Sequence, residues 1–143
     1  MAAGISSSAR EHRRVKTKIE TRALWVWLDP GGIMFSRAKP LSDLDLADAR
    51  EIIAAVGSLG QGRRRPLLAD LRNVRSLSRE GRAYFAGAET AKVESACALL
   101  VSSPLSRALG SFIVRLMNPL IPVRLFTSED AALVWLKGFL EAP

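Results

Sequence analysis

Hydrophobic spacing changes several times along this chain, and each change marks an element. Leu24-Trp25-Val26-Trp27-Leu28 and Ile33-Met34-Phe35 flank Asp29-Pro30-Gly31-Gly32. Aromatic and β-branched runs on either side of a Pro-Gly-Gly turn predict a hairpin of two antiparallel strands. Beyond Pro40, the residues Leu46, Ala49, Ile52, Ile53, Val56 and Leu59 recur at helical spacing, with Asp43, Asp45 and Asp48 in front and Gly60 behind. Acids at the front suit the helix dipole, and the glycine predicts a left-handed stop. Pro66 to Leu71 is a short apolar run of the kind that fills a central strand covered on both faces. A second helix is expected from Ser78, whose hydroxyl would cap it, through Tyr84 and Phe85 toward Ala91.

Ala96 to Val101 is another buried-strand run, followed at once by Ser102-Ser103-Pro104. Serine before proline starts a helix, with Ser103 as cap and Pro104 at the first helical position. Leu105, Leu109, Phe112, Ile113 and Leu116 form its apolar stripe, and Asn118-Pro119 ends it. Pro122 to Phe126 is a last strand, and Thr127-Ser128-Glu129-Asp130 opens a last helix with Ala131, Trp135, Leu136 and Phe139 inward. Alternating strands and helices predict an α/β fold. Its mostly parallel sheet has about five strands, begun by the antiparallel N-terminal hairpin and flanked by about four helices.

A chain of 143 residues suits one domain with one core. Residues 1–18 hold Ser6-Ser7-Ser8, several charges and almost no large apolar side chain, so they read as a flexible basic tail, and 19–143 as the domain. Five basic residues there, Arg10, Arg13, Arg14, Lys16 and Lys18, against Glu11 account for +4 of the net charge of +7. The remainder is ordinary for a mixed-charge surface, and the few aromatics do not interleave with basic residues, so nucleic acid is not the expected partner. The start of the chain has no apolar stretch of signal-peptide length, and the stretch from Phe112 to Val123 is cut by Arg115, Asn118 and two prolines. With a lone cysteine as well, the expectation is a cytoplasmic protein without a transmembrane segment.

One cysteine, Cys97, and one histidine, His12, leave no disulfide, no Cys/His metal site and no triad needing a core histidine. No cofactor, metal or catalytic residue is expected. Cys97, inside an apolar run, reads as an inert hydrophobe, and Asp70 as a carboxylate capping a turn. Arg63-Arg64-Arg65 reads as a solvated loop.

Open α/β sheets bind ligands beyond the carboxyl ends of their strands, where helix N-termini present backbone N–H groups. Arg72, Arg75, Ser78 and Arg79 follow one strand; Ser102, Ser103 and Arg107 follow another. If those strands are neighbours, these groups converge on one edge as an anion or partner site, for a phosphate or carboxylate. Trp25 and Trp27, two apart on one strand face, and Trp135 on the last helix read as core or interface rings, or as walls of a pocket for a lipid-like ligand.

The order of elements and the stretch from Asp70 to Gly81 resemble the STAS domains of anti-sigma-factor antagonists. Asp70, Leu71, Val74, Leu77 and Gly81 stand where that pattern asks; Ser78 replaces its aspartate and Arg79 its phosphorylated serine. Ser76 and Ser78 are the remaining nearby phosphoacceptors. A second resemblance is to small bacterial STAS-like or CRAL-TRIO-like proteins, through Ser103-Pro104-Leu105-Ser106-Arg107 and Pro122 to Ser128 with Ala132 and Trp135-Leu136. It spans Ile19 to Leu140. Together with the absence of the usual catalytic constellations, these resemblances point to a non-enzymatic regulatory module that binds a protein partner, or a second copy of itself as a homodimer, through the hairpin edge or the face around Arg72 to Arg82. The other implied role is a carrier of a lipid-like or anionic small ligand.

Overall fold

The computed structural model describes residues 17–116 and 119–140. A six-stranded sheet runs in the order β1 (Lys18–Glu20), β2 (Leu24–Leu28), β3 (Met34–Ala38), β5 (Arg65–Asp70), β7 (Glu94–Leu100) and β8 (Val123–Phe126). β1, β2 and β3 are antiparallel, and β3, β5, β7 and β8 are parallel. The two apolar tracts at the centre are direct neighbours, with Leu67 opposite Cys97 and Ala69 opposite Leu99. A separate parallel ladder joins β4 (Ser42–Leu44) to β6 (Val74–Leu77). The helices are α1 (Leu46–Leu59), α2 (Arg79–Phe85), the single turn α3 (Ala88–Ala91), α4 (Pro104–Leu116) and α5 (Glu129–Lys137).

Local chemistry fixes these boundaries. The hairpin turn closes because Gly32 takes a φ of 96° while Asp29 accepts from the backbone N–H of Gly32 through its carbonyl and of Ile33 through its carboxylate. Asp45 and Asp48 form a reciprocal capping box at the start of α1. Ser78 accepts from Gly81 N–H at 3.0 Å and Ser128 from Ala131 N–H at 3.2 Å, capping α2 and α5.

The two sheet faces hold separate cores. α1, α2 and α4 cover Leu24, Val26, Met34, Leu67, Cys97 and Leu99, and α5 covers Trp27, Phe35, Leu68, Ala98 and Leu100. Trp27 is fully buried and stacks on Phe35 with ring centroids 5.2 Å apart. Trp135 packs between Phe126 and Phe139, and half-buried Trp25 lies under Lys18 and Lys39. These rings are thus engaged by neighbouring side chains.

Several expectations need correction. The structure adds the short strands β1, β4 and β6, whose few residues carry too little periodicity to stand out. Of the expected tail, residues 1–16, including His12, lie outside the described residues, and Lys18 pairs with Trp27 in β1. Gly60 is right-handed at φ −70°. It is favoured because a side chain there would strike the Arg63 carbonyl oxygen, and the left-handed residues are Gln61 and Gly62. The second helix breaks after Phe85, and Gly87 starts α3. Arg64 and Arg65 are not simply solvated: Arg64 donates to the carbonyls of Ala91 and Glu94, and Arg65 to that of Gly60. Asn118, expected to end the helix after Ser103, lies outside the described residues.

Candidate functional site

β5 and β7 end together at one edge of the sheet, so the two junctions singled out by their serines and arginines do meet there. The chain leaving β5 does not enter a helix directly. Leu71 N–H bonds to Leu100 O, a tight turn follows, and β6 then carries Arg75 and Ser76 onto the β4 ladder. α2 begins one residue beyond it. Arg72, Arg75, Ser76, Ser78 and Arg79 therefore lie on a strip that projects from the sheet edge.

Most of the charge on this strip is matched internally. Asp70, only 5% exposed, accepts from Arg72 Nε at 2.9 Å, Arg72 Nη2 at 2.7 Å and Arg72 N–H at 3.1 Å. Arg37, its register partner on β3, donates to the same carboxylate at 3.1 Å and lies 3.5 Å from Glu129. Burial alone would raise the Asp70 carboxyl, but the Arg72 hydrogen bonds and both arginine charges bring it below the ordinary carboxylate value. Asp70 is thus a turn cap and the hub of an ion-pair cluster. Asp43 accepts from both arms of Arg75 and, at 2.6 Å, from the Ser76 hydroxyl. The Arg75 hydrogen bond, followed by that of Ser76, holds its carboxyl down to about 2.

The helix starts are similarly engaged. Ser106 Oγ accepts from the N–H groups of Ser102 and Ser103 at 2.9 and 3.0 Å, and Ser103 Oγ accepts from Ser106 N–H at 3.1 Å. Three backbone donors at the start of α4, those of Ser102, Ser103 and Ser106, are therefore bonded within this segment, two of them to fully buried Ser106. The Ser78 hydroxyl oxygen holds Gly81 N–H. Exposed Arg79 and Arg107 have no ion-pair partner among the described residues. One turn into α2, Arg82 donates to Leu77 O at 2.9 Å and lies 4.4 Å from the centroid of Phe112, tying the strip to α4.

Sequence reasoning missed Arg37, Asp43, Ser106 and Glu129 as members of this site. Arg37 and Asp70 each stand at a strand's carboxyl end, so parallel pairing brings them level; that signal was present but required the strand order. Nothing local marks Asp43 as the partner of Arg75, because the β4–β6 pairing joins positions more than thirty residues apart. Glu94, a lone acid heading an apolar strand, was a visible anomaly.

Among the described residues no group of three metal-ligating side chains gathers, and no helix is long and apolar enough to cross a membrane. Comparison with curated proteins finds no match. The fold is shared with solved structures, among them the following three. An uncharacterized DUF3478-family protein with a SpoIIAA-like fold, from Shewanella loihica PV-4, is 16% identical over 84% of this chain and 90% of its own, with a TM-score of 0.53. The anti-sigma factor antagonist SpoIIAA in its unphosphorylated form is 18% identical over 81% of this chain and 99% of its own, at 0.55. An anti-sigma factor antagonist from Mycobacterium paratuberculosis is 18% identical over 85% of this chain and 93% of its own, also at 0.55. The family model for a domain of unknown function, DUF7793, matches residues 26–140. The chain belongs to the DUF7793 family and has a SpoIIAA-like α/β fold.

Proposed function

We propose that the protein is a non-enzymatic regulatory module that docks a protein partner through the strip from Arg72 to Arg82. The observation that carries this reading is the exposure of Arg75, Ser76, Arg79 and Glu80 together on β6 and the start of α2. Backbone pairing and the Ser78 cap hold the strip, and exposed Arg79, with no ion-pair partner among the described residues, is the charge it leaves for a partner. A fold shared with two anti-sigma factor antagonists supports it. Beside the strip, Leu46, Ala83, Tyr84 and Gly87 line a shallow open groove that would give a partner apolar contact next to the charges.

The partner is another protein or a second copy of this chain. Charge reversal distinguishes a docking surface from a solvated one. Arg79→Glu is expected to weaken co-purification of the partner from the native host at least about tenfold, the penalty of a like-charge or lost ion-pair contact at an interface rim and core. The melting temperature should stay unchanged, since Arg79 is exposed and outside the core. A partner recovered equally by both forms would refute the assignment. Size-exclusion chromatography with light scattering reports whether the partner is a second copy.

A further inference from the structure

The core beneath α1, α2 and α4 does not close completely. A cavity of about 70 Å³ remains against the sheet, walled by Leu24, Ile52, Leu67, Leu77, Phe85 and Ile113. Glu94, the first residue of β7, lines it while only 2% exposed. Its carboxyl has no hydrogen-bond or ion-pair partner among the described residues, and Arg64 reaches only its backbone carbonyl, at 3.1 Å. A buried polar group without a partner costs free energy and is uncommon in folded proteins, so its retention in a wall of leucines and isoleucines calls for a cause.

We propose that this cavity binds a small neutral amphiphile whose apolar body lies among these side chains and whose single hydrogen-bonding head, an amide or alcohol, pairs with the Glu94 carboxyl. A cavity of about 150 Å³ lined by apolar side chains holds benzene, so this one fits a molecule of about three to five heavy atoms. Water alone is a poor occupant because a buried water takes two to four polar partners. The other polar side chains of the wall are Ser36, Asp70, Thr90 and Cys97. Asp70 is held by Arg37 and Arg72, Thr90 donates to Tyr84 O at 3.0 Å, a thiol is a weak donor, and Ser36, level with Ala69 and Leu99, stands about 16 Å along the strands from Glu94, too far for one water to reach both.

Burial keeps the Glu94 carboxyl neutral, with its pKa pushed up to about 8, so near neutrality it both donates and accepts. The titratable groups facing the cavity with it are Cys97 on β7 and Asp70 at the end of β5; the lining residues of α1, α2, α3, α4 and β8 carry no charge. Burial, then Glu94, raises the Cys97 thiol well above its usual range. Asp70 is already ionised at low pH. Glu94 is accordingly the group that titrates in the cavity in mildly alkaline solution. This site lies in the core and stands or falls independently of the docking strip.

The test is a titration of the full-length, methyl-labelled protein with propionamide, followed by NMR at about pH 6.5 and about pH 9.5. The expected result is saturable shifts at the methyls of Leu67, Ile121 and Val123, the wall residues level with the Glu94 end of β7, at the lower pH. Affinity should be roughly thirty-fold weaker at the higher pH, matching the fall in the neutral fraction of a group titrating near 8. Glu94→Gln, whose amide donates and accepts at both pH values, should bind equally at both. Cys97→Leu, which extends a wall residue beside Glu94 into the cavity, should not bind. The native protein and Glu94→Gln decide the matter even if Cys97→Leu does not fold. Absence of saturable shifts at about pH 6.5, or an unchanged pH dependence in Glu94→Gln, overturns the proposal.

Discussion

Two carboxyl groups in this protein shift in opposite directions for reasons visible in their surroundings. Glu94 has no partner among the described residues, so burial favours its neutral form; its native pKa of about 8 exceeds the unfolded value near 4.5. Between those values the folded state holds the proton that the unfolded state has released, so stability falls as pH rises. The contribution is fully present below about pH 4 and lost through pH 8. Glu94→Gln removes that dependence. Thermal unfolding should show the native protein losing stability on the order of a few kcal/mol between pH 5 and 9 relative to the variant, whereas parallel curves would contradict the assignment. Asp70 behaves in the reverse sense. Its lowered pKa makes its stabilisation present above the unfolded value near 3.8 and lost as pH falls through the folded one. Asp70→Asn should cost about 2 kcal/mol at neutral pH by weakening the bonds from Arg37 and Arg72, and denaturant titration should show the difference vanishing in acid.

Helix starts were the most legible elements, because a cap is a local event. Asp45, Ser78, Ser103 and Ser128 each stand where a short polar side chain precedes an apolar period, and each accepts a backbone N–H three residues on. The β4–β6 ladder was not legible, since three- and four-residue strands show no period and pair across a long loop. Ser106 shows how a cap extends beyond its sequence signal: its oxygen accepts the N–H groups of both Ser102 and Ser103. Ser106→Ala should destabilise the fold by about 1–2 kcal/mol, and a smaller loss would show that water replaces those bonds. In the same helix, a Cβ on Gly110 would collide with Leu125 and lie 3.2 Å from Val101 Cγ1. Gly110 lets α4 approach β7 and β8 closely. Gly110→Ala should cost about 1–3 kcal/mol through overpacking, despite the higher helix propensity of alanine; a stabilised variant would mean that α4 shifts outward freely.

At the scale of the whole molecule, the alternation of strands and helices carried most of the fold. Two purely apolar runs, Leu67–Ala69 and Ala96–Leu100, had to be central because only a strand covered on both faces is apolar throughout. Their side-by-side pairing brings both serine-rich junctions to one edge. The candidate site was legible to that extent and no further. The carboxylates that neutralise its arginines come from β4 and β5 and, through Arg37, from α5, and only the assembled sheet shows their positions. Once those pairs are formed, the edge presents a charged, capped strip rather than an open anion hole, which favours docking over chemistry. The direct measurement is site-specific photo-crosslinking in the native host, with the reactive residue replacing Arg79 in one protein and Arg63 in another. Arg63 is also exposed but lies in the loop between α1 and β5, at the opposite end of the parallel strands. A partner crosslinked from position 79 and absent from position 63 is the expected result. Crosslinks from position 63 alone, or equal products from both, would contradict docking through the α2 strip.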